Sequence, residues 1–214
     1  EPTNGVKQDE ALRVGSSIAL VLQKVCQSVV MGCAEPPLWQ IDTALRPEGK
    51  DGPLVRRLES NREYYEKWAS SWEFQALLKS RPAAGDMQLG KDYRQMADSL
   101  VWKASGREHF VADCQHMRQR VESLIPASHR DLDMKLGRGG LRDVEFTVQM
   151  LQLVHGSEDT SLRVRDTLGA LNALSAGGYV SRSQAAILAE HYRFERVLEH
   201  RQQMWNMQRT HLFP

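Results

Sequence analysis

Apolar residues recur at steps of three and four over most of this 214-residue chain, a period that a helix satisfies and a strand does not, so a mainly α fold is expected. Between residues 9 and 31 the line runs Ala11, Val14, Ile18, Leu22, Val25 and Val29, with Asp9 placed as N-cap and Gly32 as stop. Helices are predicted over residues 60–79, 89–103, 107–124 and 141–155. Thr167 is placed to cap a short helix ending at Gly177-Gly178, and Ser183 a long one carrying Ile187, His191, Phe194, Leu198 and Trp205 on one face. Residues 38–45 alone depart from the pattern: short, and bounded by Pro36-Pro37 and by Arg46-Pro47-Glu48-Gly49, they read as a strand followed by a surface loop.

Charge narrows the function classes. Lys and Arg number 28 against 27 Asp and Glu, so the chain has no net basic field for nucleic acid. Its three cysteines, Cys26, Cys33 and Cys114, are odd in number and lack CxxC spacing, which fits free buried thiols in a reducing cytoplasm. No apolar run is long enough for a membrane helix, and the polar opening Glu1-Pro2-Thr3-Asn4-Gly5 is unlike a signal peptide, so the chain reads as one cut from within a longer protein.

Three constellations bear on chemistry. Asp42, next to a basic, glycine-bearing loop containing Arg46, has the makings of a metal-dependent phosphoryl-transfer site, since a metal needs oxygen ligands and a phosphate needs positive charge; a plain Asp42–Arg46 pair is the bland alternative. Gly137-Arg138-Gly139-Gly140, flanked by Lys135 and Arg142, opens a helix whose N–H groups attract anions; a flexible turn is the alternative. On that helix Arg142, Glu145, Gln149 and Gln152 form a narrow polar line between apolar flanks, so a partly buried Arg142–Glu145 pair is expected, either at a site or as a structural pair. Bland readings are preferred elsewhere: Asn61, Tyr65, Trp68 and Trp72 as core, His109, Asp113 and His116 as no metal site, and the polar groups from Glu199 to His211 as a solvated face.

Longer motifs are more specific. Asp42-x-x-Leu45-Arg46-Pro47-Glu48-Gly49-x-x-Gly52-Pro53-Leu54-Val55-Arg56, Tyr64-Tyr65-x-x-Trp68 and Trp72-Glu73-x-Gln75-Ala76-Leu77-Leu78-Lys79-x-Arg81-Pro82, with Gly85-Asp86, run in order along the chain. Lys135-Leu136-Gly137-x-Gly139-Gly140-Leu141-Arg142-Asp143-Val144-Glu145-Phe146, Glu199-His200-Arg201-x-Gln203-Met204 and Thr210-His211-Leu212 follow. Together they resemble the glutamine synthetase adenylyltransferase family, over nearly the whole chain.

The resemblance implies a remnant of a polymerase-β-type nucleotidyltransferase α/β domain over residues 1–104, its first strands missing, followed by a helical bundle over residues 105–214. It also implies control of glutamine synthetase through AMP on a tyrosine, with PII signalling protein, ATP or ADP and phosphate as partners, and Mg²⁺ as cofactor. The motifs sit closer to the half that removes AMP by phosphorolysis; the ATP-using half, or a non-catalytic scaffold docking the synthetase or PII protein, are alternatives. Asp42 matches the family's third metal-binding carboxylate, but no Asp-x-Asp pair precedes it, so the isolated chain is expected to be inactive. Arg46, Lys79, Arg81, Lys135, Arg138, Gly139, Gly140 and Arg142 are the implied phosphate or nucleotide contacts, with Glu145 in support. The PII uridylyltransferase family is the related runner-up.

Overall fold

A computed structural model describes residues 7–28, 40–206 and 210–213, and these form two compact units, Glu1–Ser70 and Ser71–Pro214. Among the described residues the regular elements are helices; the nearest approach to a sheet is one antiparallel bridge between Asp133 and Leu212. The expected mainly α class is what the chain adopts.

The first unit holds α1 (Gln8–Gln27) and α2 (Leu58–Lys67); of the stretch between them, residues 40–57 are described and are irregular apart from a 3-10 turn at Gly49–Asp51. Lys7, not Asp9, is the N-cap of α1, and Gln27 closes its end by donating to the Ile41 carbonyl at 3.0 Å. The predicted continuation of this helix beyond Ser28, its Gly32 stop and Cys33 lie outside the described residues. The apolar period of α1 does form a helix, but within this chain Val14, Ile18, Leu22 and Val25 are exposed and Cys26 is its buried residue. Of the predicted strand, the part that is described does not pair: residues 40–43 are irregular and Ala44-Leu45 turn. The cause is local, because Asp42 Oδ1 accepts from Ala44 N–H at 2.9 Å and folds the chain into a tight turn.

A single helix was predicted over residues 60–79; instead α2 ends at Lys67 and α3 (Ser71–Leu77) begins after a break. Ser71 Oγ donates to Asp113 Oδ2 at 2.8 Å, fixing the start of α3 on the helix carrying Asp113. The break dismantles the predicted aromatic stripe: Tyr65 is buried while Trp68 is 76% exposed.

The second unit continues with α4 (Met87–Val101), α5 (Phe110–Ser123), α6 (Leu141–His155), α7 (Thr167–Ala176) and α8 (Arg182–Asn206). Asp86 caps α4 by accepting from the N–H groups of Gln88 and Leu89, which gives the Gly85-Asp86 motif a structural job. Asp166 rather than Thr167 caps α7, and Ser181 rather than Ser183 accepts from Gln184 N–H at the start of α8. Helix α6 runs through the middle, packed by α7 and α8 on one side and by α3 and α5 on the other. Leu141, Val144 and Val148 meet Leu171, Leu174 and Tyr192 in a core between α6, α7 and α8.

Candidate functional site

Of the polar line on α6, Glu145, Gln149 and Gln152 are buried and Arg142 is partly so, and each member has a partner. Gln152 Nε2 donates to the carbonyls of Leu162 and Val164, at 2.6 and 2.7 Å, and holds the loop before α7. Gln75 Nε2 on α3 donates to Gln149 Oε1 at 3.0 Å. Glu145, one turn earlier, is a buried carboxylate surrounded by cations. Its Oε2 accepts from Arg142 at 3.1 Å, and its Oε1 accepts from Arg196 at 2.6 Å and from the Tyr192 hydroxyl at 3.1 Å. Lys79 Nζ lies 4.0 Å from Oε1 and donates to Thr167 Oγ1 at 3.3 Å.

From Arg196 the network runs on to Glu199, at 2.6 Å, and Glu199 takes Lys135 Nζ at 3.0 Å. Four cations thus share two buried carboxylates, and such carboxylates are stable in a protein interior only when so paired. Glu199 is only 2% exposed, which overturns its assignment to a solvated face. The charge states follow from the geometry. Burial works against the Arg196 guanidinium, but its bonds to Tyr192 and Glu199 and the charge of Glu145 outweigh this and hold it firmly protonated. Burial likewise opposes ionisation of Glu199, yet Lys135 and Arg196 pull its carboxyl below the usual range. Lys79 shifts the other way: burial lowers its ammonium below the ordinary lysine value, Glu145 supports it, and Arg196 and Arg142 disfavour it further. Lys79, Arg142 and Arg196 nonetheless keep 41%, 33% and 31% of their side-chain surface exposed. They leave a surplus of positive charge on an open face above Glu145.

The other anticipated residues fall elsewhere. Arg81 is exposed on the loop after α3 and joins none of these pairs. In the first unit Asp42 and Arg46 do not pair. Asp42 folds its own turn, and Arg46 donates to the carbonyls of Thr43, Lys50 and Gly52, clasping the loop from within. Glu48, at φ +62°, and Gly49, at φ +58°, carry the left-handed bend of that loop, which Arg56 tightens by pairing with Glu48 at 2.5 Å.

The glycine turn before α6 has spent its donors. The N–H groups of Gly140, Leu141, Arg142 and Asp143 go to the carbonyls of Gly137, Met134, Lys135 and Gly140, so this helix start offers an anion no free amide there. Gly139 N–H is taken by Asp143 Oδ2, and Asp143 is in turn held by Arg118. Arg138, Gly139 and Gly140 line a different hollow, between the loop 131–140 and α8, whose polar walls include Asp131, Asp133, His191 and Glu195.

Arg196, Tyr192, Glu199 and Glu195 escaped the sequence reading as site residues. One signal was available: on α8 Tyr192, Arg196, Glu199 and Gln203 follow steps of four, three and four, a polar line like that on α6. The pairing of the terminal Thr-His segment had none: His211 Nε2 lies 3.2 Å from the buried Asp133, and the backbone there pairs through Met134 N–H to His211 O and Phe213 N–H to Leu132 O.

Among the described residues no group of three or more His, Cys, Asp or Glu side chains is placed to hold a metal ion, and no helix is long and apolar enough to cross a membrane. Asp42 belongs to no such group, so the residues described do not by themselves complete a site for Mg²⁺.

Two family models match the chain: glutamate-ammonia ligase adenylyltransferase over residues 3–96, and GlnD PII-uridylyltransferase over residues 109–214. Whole-chain relatives are named bifunctional glutamine synthetase adenylyltransferase/adenylyl-removing enzymes. That of Bifidobacterium longum subsp. infantis is 64% identical over 98% of this chain and 19% of its own length. That of Streptomyces avermitilis is 51% identical over 100% of this chain and 21% of its own, and that of Mycobacterium bovis 54% over 87% and 19%. The chain therefore spans about a fifth of the length of these relatives.

Proposed function

This chain belongs to the family of bifunctional glutamine synthetase adenylyltransferase/adenylyl-removing enzymes, and we propose that it serves the removing direction, with the α6–α8 face contributing phosphate contacts. The observation that carries the reading is the gathering of Lys79, Arg142 and Arg196 around the single buried carboxylate Glu145, with their outer surfaces open. In phosphorolysis an oxygen of inorganic phosphate bonds to the phosphorus of AMP-tyrosine while the bond from phosphorus to the tyrosine oxygen breaks. ADP forms, and the released phenolate takes up a proton. Two anions must approach one another in that step, so fixed cations that screen their repulsion lower the barrier. Arg142 keeps guanidinium N–H groups beyond the one bound to Glu145, and these suit a phosphoryl oxygen. Arg196 is held in place by Tyr192, Glu145 and Glu199 and acts as a fixed charge. The resemblance of Arg46-Pro47-Glu48-Gly49 and the Lys135–Arg142 motif to the adenylyl-removing half supports the direction. No step is assigned to Mg²⁺, because the described residues do not complete a site for it.

The test replaces the matching fifth of the Bifidobacterium longum subsp. infantis relative with this chain and follows ADP release from AMP-modified glutamine synthetase at varied phosphate. Arg142→Ala and Lys79→Ala should each raise the KM for phosphate or lower kcat by about tenfold or more, as loss of a charged contact does, with little change in melting temperature. Unaltered kinetics in both variants would remove this face from the reaction.

A further inference from the structure

The hollow between the loop 131–140 and α8 has chemistry opposite to that of the Glu145 face. Its volume is about 370 Å³, within the range of small-ligand sites. Its walls carry three carboxylates, Asp131, Asp133 and Glu195, against one arginine, Arg138, with His191 beside them. Asp133 is committed, since it accepts from the N–H groups of Lys135 and Leu136 and pairs with His211. Glu195 is not: its carboxylate has no hydrogen-bond partner, and although Oε2 is shielded from solvent, Oε1 is open. A half-buried carboxylate without a donor gains when a ligand reaching its open oxygen brings one. The remaining walls are apolar, and Phe194 and Phe213 expose about half of their surface or more.

We propose that this hollow is a receptor for an arginine side chain presented by a partner polypeptide, with Glu195 and Asp131 accepting from the guanidinium and Phe194 and Phe213 covering its planar faces and stem. A guanidinium fits better than a compact ammonium because it is flat, stacks on aromatic rings and donates in several directions at once. Leu198, in the wall, supplies apolar surface for the residues flanking the arginine. Such an anchor, a desolvated charge pair ringed by apolar contacts, is how arginine serves as a hot spot in protein interfaces. The proposal does not depend on the phosphate reading of the Glu145 face, which uses other side chains.

The groups facing Glu195 set its pH response. Asp143 of α6 lies behind it, His191 shares its helix, and Asp131, Asp133 and Arg138 come from the loop. Burial, with the charge of Asp143 added, pushes its carboxyl up to about 7. The arginine needs the ionised form, so binding should weaken about tenfold from pH 8 to pH 6, as the ionised fraction of such a group falls.

The experiment titrates the 214-residue chain with acetyl-Leu-Arg-Leu amide by calorimetry at both pH values, with the citrulline peptide as the uncharged isostere. Saturable binding is expected for arginine, at least tenfold weaker for citrulline. Glu195→Gln should remove most of that preference, together with the pH dependence. Arg138→Ala should strengthen binding, because it takes away the one cation that competes for the carboxylates. A melting temperature of the Glu195→Gln variant at or above that of the parent separates lost recognition from lost folding. Equal binding of the two peptides, or full arginine preference in folded Glu195→Gln, would overturn the proposal. Weaker binding in Arg138→Ala would instead mark the hollow as an anion site and overturn it too.

Discussion

Two glutamates one turn apart on α8 meet opposite fates, and their neighbours decide which. Glu199 sits between Lys135 and Arg196 and ionises more readily than a free carboxylate; Glu195 is half-buried without a cation and ionises less readily. Their effects on stability therefore differ in sign. For Glu199 the folded value lies below the unfolded one, so its contribution is present above the ordinary carboxylate range and is lost as pH falls through the folded value. For Glu195 the folded value, about 7, lies above the unfolded 4.5, so the folded state holds the proton more tightly between them. Its contribution is complete below 4.5 and gone once pH has risen through 7. Glu195→Gln, which cannot ionise, should consequently raise the melting temperature by roughly 2–4 °C at pH 8, the shift that about 1 kcal/mol gives in a protein of this size, and by much less at pH 5. Differential scanning calorimetry of parent and variant at the two pH values checks this. A gain of equal size at both would mean that Glu195 is not the group titrating.

At the scale of elements, α6 and the helices around it were legible, and the side chains that answer α6 were not. Its limits coincide with those predicted, because Gly140 before it and Gly156 after it punctuate an uninterrupted apolar period. The polar line from Arg142 to Gln152 was visible for the same reason: four polar residues bordered by apolar ones have one burial pattern open to them. What answers that line, Arg196 and Tyr192 on α8 and Gln75 on α3, lies about fifty to seventy positions away in sequence, and no local period reports on a distant partner. The predicted strand failed for a local reason, the turn made by Asp42. The glycine turn was found, and close backbone contacts hold it in place. A Cβ on Gly140 would stand 2.4 Å from the Met134 carbonyl oxygen, whereas one on Gly139 meets open space and is opposed only by φ +80°. Gly139→Ala should thus cost about 1 kcal/mol, the usual penalty for a left-handed alanine, while Gly140→Ala should cost more than about 2 kcal/mol because backbone must move. Urea unfolding of the two variants ranks them. A reversed order would show the turn to be held differently.

For the whole molecule, the family matches meet between residues 96 and 109, close to the boundary at 104/105 implied by the resemblance, whereas the compact units part between Ser70 and Ser71. The two divisions measure different things, and packing predicts which piece folds alone. Helix α3 packs on α4, α5 and α6, and its residues Phe74, Leu77 and Leu78 are buried. A piece beginning at residue 105 would lose α3 and α4 and uncover the sides of α5 and α6 that α3 packs against; one beginning at Ser71 keeps both helices. Cys114 is a natural reporter, since it is buried on α5 and is the one cysteine that both pieces retain. Burial, with Asp113 adding to it, pushes its thiol up to about 11, so it reacts slowly while the unit is folded. Residues 71–214 should unfold in one cooperative step and shield Cys114 from a thiol reagent until they do. Residues 105–214 should label at the rate of an unfolded thiol and melt without a sharp transition. Prompt labelling of the longer piece, or protection in the shorter one, would move the folding boundary away from Ser70 and towards the division between the family matches.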